Sequence, residues 1–359
     1  RLQWETSNQL DIGIEAGLFK NRIYVSADFF DKRTRNLLYE QKLPNTTGFS
    51  KFWTNLGKVR FWGYELELTT RNIVKKNFSW ESKLVLSYQQ NKVLKLPDNG
   101  IDKNRTGGIA LGDGTFFGGI AEGEPLNRFY GYVATGIIET EEQAANANYD
   151  ALSRLPQKGA KRVGDYEWAD RNGDGQITTA DQFCLGVTVP PFTGGLQNTF
   201  RLKNWTLSLY LDWATGHSIF DESYSRYFYG TFTNNYALAK DVLKAWKKPG
   251  DKTKYAKFYA NDSNWGNDNY NRRATNTFTY KGDYLCLREI TLQYSLPSKL
   301  FTKVGLKGVT LTVSGNNLCY FTEVKGISPE MGSSTTYDGD VFYNYPPIRR
   351  FSFGVRLIF

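Results

Sequence analysis

Long apolar runs are missing from this 359-residue chain. No stretch approaches the roughly 18 to 20 consecutive apolar residues that a spanning helix needs, and mean hydropathy is −0.50. A helical membrane protein is therefore excluded. A strand-crossed membrane is not, because a spanning strand needs only about 9 to 11 alternating residues and leaves a weak hydropathy signal. Histidine occurs once, as His217, so neither a Ser-His-Asp set nor a zinc cluster can be assembled around it. The three cysteines, Cys184, Cys286 and Cys319, stand far apart with no CxxC, and an odd count argues against a disulfide framework. Glycine patterns of dinucleotide or P-loop type followed by a helix are also absent. Glu65 and Glu67 are i, i+2 neighbours on one strand face, which reads as a solvated wall. No catalysis is expected. A dense basic run is lacking too: the net charge of +9 is scattered along the chain, so nucleic acid is not expected as a partner.

What the chain has in excess is aromatic residues, 16% of the total, with 24 Phe, 23 Tyr and 9 Trp. Such an excess suits strands, interfacial girdles and sugar- or peptide-binding loops. The alternation that places them is strongest at the C-terminus. Phe351, Phe353, Val355, Leu357 and Phe359 fall on one face, and Ser352, Gly354 and Arg356 on the other, the period of a strand with one apolar and one wet side. Leu10 to Ala16 and Ile23 to Phe29 alternate around a Phe19-Lys20-Asn21 turn, which predicts a hairpin whose second strand runs on through Tyr39. Further long strands are expected at residues 52–71, 78–90, 196–202, 205–213, 284–296, 309–321 and 349–359. In the strand after Lys203-Asn204, Trp205, Leu207, Leu209, Leu211 and Trp213 oppose Thr206, Ser208, Tyr210 and Asp212. A mid-strand Asp212 is costly in a dry core but natural on a water-filled lumen. The apolar phase slips between Leu287 and Ile290, which predicts a bulge. Gly123-Glu124-Pro125-Leu126 leads into Phe129-Tyr130-Gly131-Tyr132 and Gly136-Ile137-Ile138. Altogether roughly ten long strands alternate with short turns and long loops, the rhythm of an outer-membrane barrel. Short helices are expected at 141–151 and 236–247.

Two long excursions, about 91–128 and 218–280, exceed what compact soluble domains usually tolerate. One local motif is sharper than the rest. Asp170, Asn172 and Asp174 stand at positions 1, 3 and 5 of a loop with Gly175 at 6, Gln176 at 7, Ile177 at 8 and Asp181 at 12, the spacing of an EF-hand-type calcium loop. Asp at the last position has a shorter reach than the usual Glu, and no amphipathic helix precedes Asp170. Divalent-ion binding and a metal-free Asx turn both fit, whereas a calcium sensor would need helices on both flanks.

Leu2-Gln3-Trp4-Glu5-Thr6, Asn55-Leu56-Gly57 with Gly63-Tyr64-Glu65-Leu66, Pro191-Phe192-Thr193-Gly194-Gly195-Leu196, Tyr284-Leu285-Cys286-Leu287-Arg288-Glu289-Ile290, Ser314-Gly315-Asn316-Asn317-Leu318 and Gly326-Ile327-Ser328-Pro329-Glu330 follow one another in this order. Each is weak alone. Together with the terminal aromatic strand they make the chain resemble the SusC/RagA-like TonB-dependent transporters of the outer membrane, over its whole length as their C-terminal part. Departures are Cys286 where that family usually has Arg, Cys319 after the Asn pair, and Ser328 for a frequent Asp.

The resemblance implies an all-β fold: a transmembrane antiparallel β-barrel of 22 strands with a plugged lumen and long extracellular loops, of which this chain supplies about the last ten strands. The plug, the TonB-contacting segment and the strand that closes the barrel against the C-terminal one are then expected upstream of Arg1. It further implies import of oligosaccharides or oligopeptides under a SusD-like surface lipoprotein. Loop aromatics Phe116, Phe117, Tyr227, Tyr229, Trp265 and Tyr270 would stack on substrate or pack against that lid. The stripe from Phe351 to Phe359 would face outer-membrane lipid, with Phe359 as the terminal aromatic of an assembly signal. Two other readings remain: a SusC-like barrel serving as a structural or assembly subunit, and a soluble β-domain that binds carbohydrate.

Overall fold

The computed structural model of the chain describes residues 2–42, 48, 51–100, 102–106, 109–110, 116–117, 119–152, 160–221, 224–225, 239–258, 275–300, 305–330 and 347–359. Among these, nine long strands make one antiparallel sheet in which chain order is spatial order. They are β1 (Thr6–Leu18), β2 (Ile23–Lys42), β3 (Lys51–Lys75), β4 (Phe78–Lys95), β5 (Phe192–Leu202), β6 (Trp205–Thr215), β7 (Tyr284–Ser295), β8 (Gly308–Thr322) and β9 (Arg350–Ile358). No described helix is long and apolar enough to cross a membrane. The β1–β2 turn is closed by three consecutive left-handed residues, Phe19, Lys20 and Asn21, with φ of 54°, 58° and 60°.

Residues directly opposed in a ladder share a face, so register sorts the sheet into two walls. One row runs Ala16, Val25, Leu68, Leu84, Leu196, Leu211, Leu287, Cys319. A row on the other face runs Tyr24, Thr69, Lys83, Gln197, Tyr210, Glu289, Asn316, Arg350. The polar wall carries its own ion pair, Lys83 to Glu67 at 2.8 Å. The apolar wall is bounded by aromatics. Phe29, Tyr64, Tyr88 and Phe192 lie in one row, with the first two rings 5.2 Å apart. Phe78, Leu202, Trp205 and Tyr294 lie in another, where the Trp205 and Tyr294 rings are 4.4 Å apart.

Strand β5 runs from one aromatic row to the other in 11 residues. At roughly 3.3 Å per residue and a tilt of about 40°, that span is about 25 Å tall, the height of the apolar band of a transmembrane barrel. The C-terminal stripe continues the apolar wall: Phe351, Phe353, Val355 and Leu357 oppose Gly315, Val313, Leu311 and Val309. Phe353 is 82% exposed and Phe359, just past the strand, 77%. A soluble sandwich would cover such a face; a lipid-facing wall leaves it bare.

Roughly ten long strands were expected, and among the described residues nine form the sheet. The segment around Phe129 folds as short strands, Arg128–Gly131 and Ala134–Ile137, paired with Phe183–Val187 and Tyr166–Trp168. Phe129, Tyr130 and Tyr132 are all buried, so this stretch is covered on every side and lacks the half-wet alternation of a wall strand. The first expected helix is shorter than its predicted 141–151: α1 (Glu141–Asn146) starts at a Thr140–Gln143 capping box, and Tyr149–Asp150 already pairs with Gln176–Ile177. In the second, 236–238 lie outside the described residues and Lys240–Lys244 is a 3-10 turn.

Candidate functional site

The predicted bulge is present, and Arg288 is the residue it ejects. Tyr210 opposes Glu289 and Leu211 opposes Leu287, so β7 has one residue more than β6 at this point. On the β8 side Leu287 opposes Cys319 and Glu289 opposes Asn316, and Asn317 in the gap takes a left-handed φ of 54°. Bulges re-aim side chains. Here the guanidinium meets Asp212 with both oxygens, Nε to Oδ1 at 2.8 Å and Nη2 to Oδ2 at 2.7 Å, a bidentate fork. Its Nη1 donates to Asn317 Oδ1 at 2.8 Å and to the Tyr320 hydroxyl at 3.2 Å. Nη2 also bonds Glu330 Oε1. Asp212, whose mid-strand position is costly in a dry core, is thus neutralised, and one cation serves two carboxylates.

Glu330 belongs to the loop after β8, so this network ties that loop down onto the polar wall. A second tie is the single histidine. His217 is 4% exposed, its Nε2 lies 3.4 Å from the Pro329 carbonyl, and burial holds its pKa below the ordinary imidazole value. Gly282 makes room for it, since a Cβ there would sit 2.3 Å from the ring. His217 is therefore a packed spacer under the loop. Beside Asp212 the wall opens into a cleft of about 490 Å³ lined by Lys83, Gln197, Gly195, Tyr210 and Tyr284 among others.

Above the sheet, at the end opposite the short turns, the excursions fold around their own core. Tyr132, Tyr166, Trp168, Ile177, Tyr255 and Phe278 pack together with Ala245 and Ala256, and a buried pair, Lys161 to Asp150 at 3.0 Å, lies in the same cap. Strand β4 runs on to Lys95, into the expected 91–128 loop, and Gly123-Glu124-Pro125-Leu126 is fixed against its end. Val93 N–H donates to the Glu124 carbonyl and Gly123 N–H to that of Val93, both at 2.8 Å. The Glu124 carboxylate accepts from Lys103 Nζ at 2.7 Å and from the Tyr130 hydroxyl, with Arg105 at 3.4 Å and Arg128 at 3.5 Å. Burial pushes its pKa up, but the hydrogen bonds from Lys103 and Tyr130 and the nearby cationic charges outweigh this and hold it down at about 2.

The calcium-like loop forms a corner of the cap. Asp170 accepts from Gly173 N–H at 2.7 Å and Gly175 N–H at 2.8 Å, and these backbone bonds, Gly175's first, lower its pKa. Asn172 accepts from Asp174 N–H at 3.1 Å and Asp174 from Gln176 N–H at 2.8 Å. Asp181 is fully buried and accepts from Arg171 N–H at 2.9 Å and Thr178 N–H at 2.7 Å. Its carboxylate therefore turns to the backbone, and among the described residues no three acidic, His or Cys side chains converge as a metal-ligating group. Ile177, at position 8, is buried in the aromatic core.

Of the loop aromatics, Phe116–Phe117 forms a two-residue strand paired with Ile109–Ala110. Tyr227, Tyr229, Trp265 and Tyr270 lie outside the described residues. Sequence reasoning missed the Arg288–Glu330 and Glu124 clusters as partnerships. The phase slip at Leu287 marked the first position; only the Gly-Glu-Pro-Leu turn hinted at the second.

An antiparallel sheet with one lipid-type and one lumen-type wall, tight turns at one end and folded loops at the other defines the wall of an outer-membrane-type β-barrel. The chain belongs to the family described as TonB dependent receptor-like, beta-barrel, whose profile matches residues 1–318. It is 31% identical, over 100% of its length, to TonB-dependent receptor P3 of Formosa agariphila, of which it covers 34%. It is 24% identical to TonB-dependent receptor SusC of Bacteroides thetaiotaomicron, over 100% of this chain and 32% of that protein. In structure it resembles the RagAB peptide transporter with a TM-score of 0.73 at 21% identity, covering 99% of this chain and 35% of that one. The SusC/RagA-like resemblance carried by the sequence motifs holds. The chain spans about a third of the length of these curated relatives.

Proposed function

We propose that this chain supplies the C-terminal wall and surface cap of an outer-membrane importer of oligomeric nutrients, oligosaccharide or oligopeptide. TonB drives it through the upstream part, and a SusD-like lipoprotein acts as its lid. The observation that carries the reading is the nine-strand register, which between the two aromatic rows sets a largely apolar, bare wall on one face against a polar wall on the other. The work done is binding and gated passage, without bond chemistry. Arg288 and Glu124 hold two loop segments to the wall at its mouth, where a polymer would enter. The full-length protein is expected in the outer-membrane fraction with a SusD-like lipoprotein co-purifying, and cells carrying it should take up labelled oligosaccharide or oligopeptide until a protonophore collapses the driving force. An assembled complex with no uptake would favour the structural-subunit reading. Recovery as a soluble monomer without detergent would overturn both.

Calcium at the 170–181 loop belongs to this reading as a separate proposal. A carboxylate oxygen that accepts one N–H keeps a lone pair for a cation, so Asp170, Asn172 and Asp174 retain ligating capacity. Asp181 would have to give up its backbone donors. Removing those donors' acceptor with Asp181→Ala is expected to destabilise the corner by about 1 to 3 kcal/mol, read as faster proteolysis between Trp168 and Phe183. Calcium binding predicts a saturable, chelator-reversible slowing of that cleavage in the parent, lost in Asp170→Ala; no effect of calcium would remove the proposal.

A further inference from the structure

The short-turn end of the sheet has a property that transport does not require. Residues 17–25, 72–80, 202–207, 294–300 and 305–311 contain no Asp or Glu, yet carry Lys20, Arg22, Lys75, Lys76, Lys203, Lys299 and Lys307. The turns are joined side by side. Arg71 N–H donates to the Arg22 carbonyl at 2.8 Å, Lys203 N–H to that of Asn77 at 2.9 Å, and Ser295 N–H to that of Asn204 at 2.9 Å. Arg22 also reaches the Asn72 carbonyl through Nη2 at 3.3 Å. The result is a basic ledge along the turns, behind which Arg71 meets Glu81 at 3.8 Å on the polar wall.

Directly above it, the apolar wall is interrupted by a polar ladder. Thr70 donates to Asn72 at 3.0 Å, Asn72 Nδ2 to Ser82 at 2.8 Å, and Ser82 Oγ to Asn198 Oδ1 at 2.6 Å. Trp80 Nε1 also donates to Asn198 Oδ1, at 3.0 Å. An indole N–H can only donate, so the atom of the Asn198 amide that joins this network is its oxygen. Its Nδ2 is left without a partner among the described residues. Thr70, Ser82 and Asn198 are opposed in register on the same wall as the apolar rows. An amide donor on such a wall is costly unless an acceptor comes to it from outside.

We infer that this ledge is a binding surface for anionic phospholipid headgroups of the leaflet that meets the short turns, with the Asn198 amide donating to lipid oxygen. A lipid satisfies both halves at once: its phosphate matches the basic ledge, and its ester oxygens offer acceptors to the Asn198 amide while its acyl chains cover the apolar rows. A soluble anion would meet the ledge but not the wall. Each basic residue near a charged leaflet contributes about fivefold in association.

The inference rests on the outer-membrane placement proposed above, and the test separates the two. The full-length protein is reconstituted into nanodiscs of mixed phosphatidylglycerol and phosphatidylethanolamine, re-extracted, and its retained lipids are counted by native mass spectrometry. Phosphatidylglycerol is expected to be enriched over the bulk ratio by about fivefold or more. The combined Arg22→Gln, Lys75→Gln, Lys76→Gln and Lys203→Gln variant should return to the bulk ratio, and Asn198→Leu should lower the enrichment partway. Substituting Lys247, Lys248 and Lys252 in the cap by Gln should leave it unchanged. Absence of enrichment in the parent, its persistence in the turn variant, or an equal drop in the cap variant would each overturn the inference. Failure of the parent to enter the nanodisc at all would instead count against the membrane placement.

Discussion

Arg288→Ala is expected to destabilise the folded wall by about 2 to 4 kcal/mol and to release the segment that carries Glu330. Breaking a buried pair from one side typically costs roughly 3 to 5 kcal/mol, because a charge is left without its partner. Here the side chains of Arg288, Asp212 and Glu330 remain 24%, 17% and 31% exposed, so water recovers part of that. Two carboxylates and the Asn317 and Tyr320 side chains lose their shared donor. Arg288→Lys should recover little, since an ammonium cannot repeat the fork on Asp212. Glu330→Gln should cost much less, as Asp212 still holds the guanidinium. The measurement is thermal unfolding of the full-length protein in detergent, followed by its heat-modifiable gel mobility, alongside limited proteolysis after Thr322. Equal losses for Arg288→Ala and Glu330→Gln would mean that the Asp212 fork contributes nothing.

Glu124→Ala should detach the 91–128 excursion from β4. Lys103, Arg105 and Arg128 would be left together around the Tyr130 ring, over which Arg105 lies at 4.4 Å. The carboxylate is 10% exposed and its pKa lies at about 2 against an ordinary 4.5, which corresponds to roughly 3 kcal/mol at about 1.4 kcal/mol per unit. The sign follows from the depression of that pKa. The stabilisation is fully present above the unfolded value near 4.5 and is lost as pH falls towards about 2. The hydrogen-exchange protection of residues 93–126, corrected for the intrinsic pH dependence of amide exchange, should therefore be unchanged between pH 7 and 5 and fall only in stronger acid, whereas the Ala variant is poorly protected throughout. Release already near pH 5 would show that Glu124 is not the anchor.

Much of the wall is legible in the sequence because its cause is local. A strand with one lipid and one water face must alternate, and the stripes at Trp205 to Trp213 and Phe351 to Phe359 do so, broken in the second only by Ile358. The slip at Leu287 is legible for the same reason: a bulge breaks a period. What the bulge is for is not legible. Glu330 lies 42 positions from Arg288 and Asp212 lies 76, and no periodicity links residues that meet only after three strands have paired. The cap is the hardest part. Around Phe129 nearly every side chain is buried, so the aromatic run resembles another wall strand and gives no sign that it packs on Tyr166 and Trp168. At 170–181 the spacing marks a tight acidic loop, but a spacing cannot say whether the last carboxylate points at an ion or, as Asp181 does, at backbone N–H groups.

The pairing of β2 with β3 continues from the Phe29–Tyr64 pair up to Lys42 and Lys51, 13 residues of β3 beyond Tyr64. At about 3.3 Å per residue and the same tilt near 40°, this hairpin stands roughly 30 Å proud of the aromatic row. On the proposed placement it is a parapet above the lipid, the part of this chain that an antibody or a phage tail would meet first. An epitope tag inserted at Gly48, between its two arms, should be detectable on intact cells without disturbing the wall below.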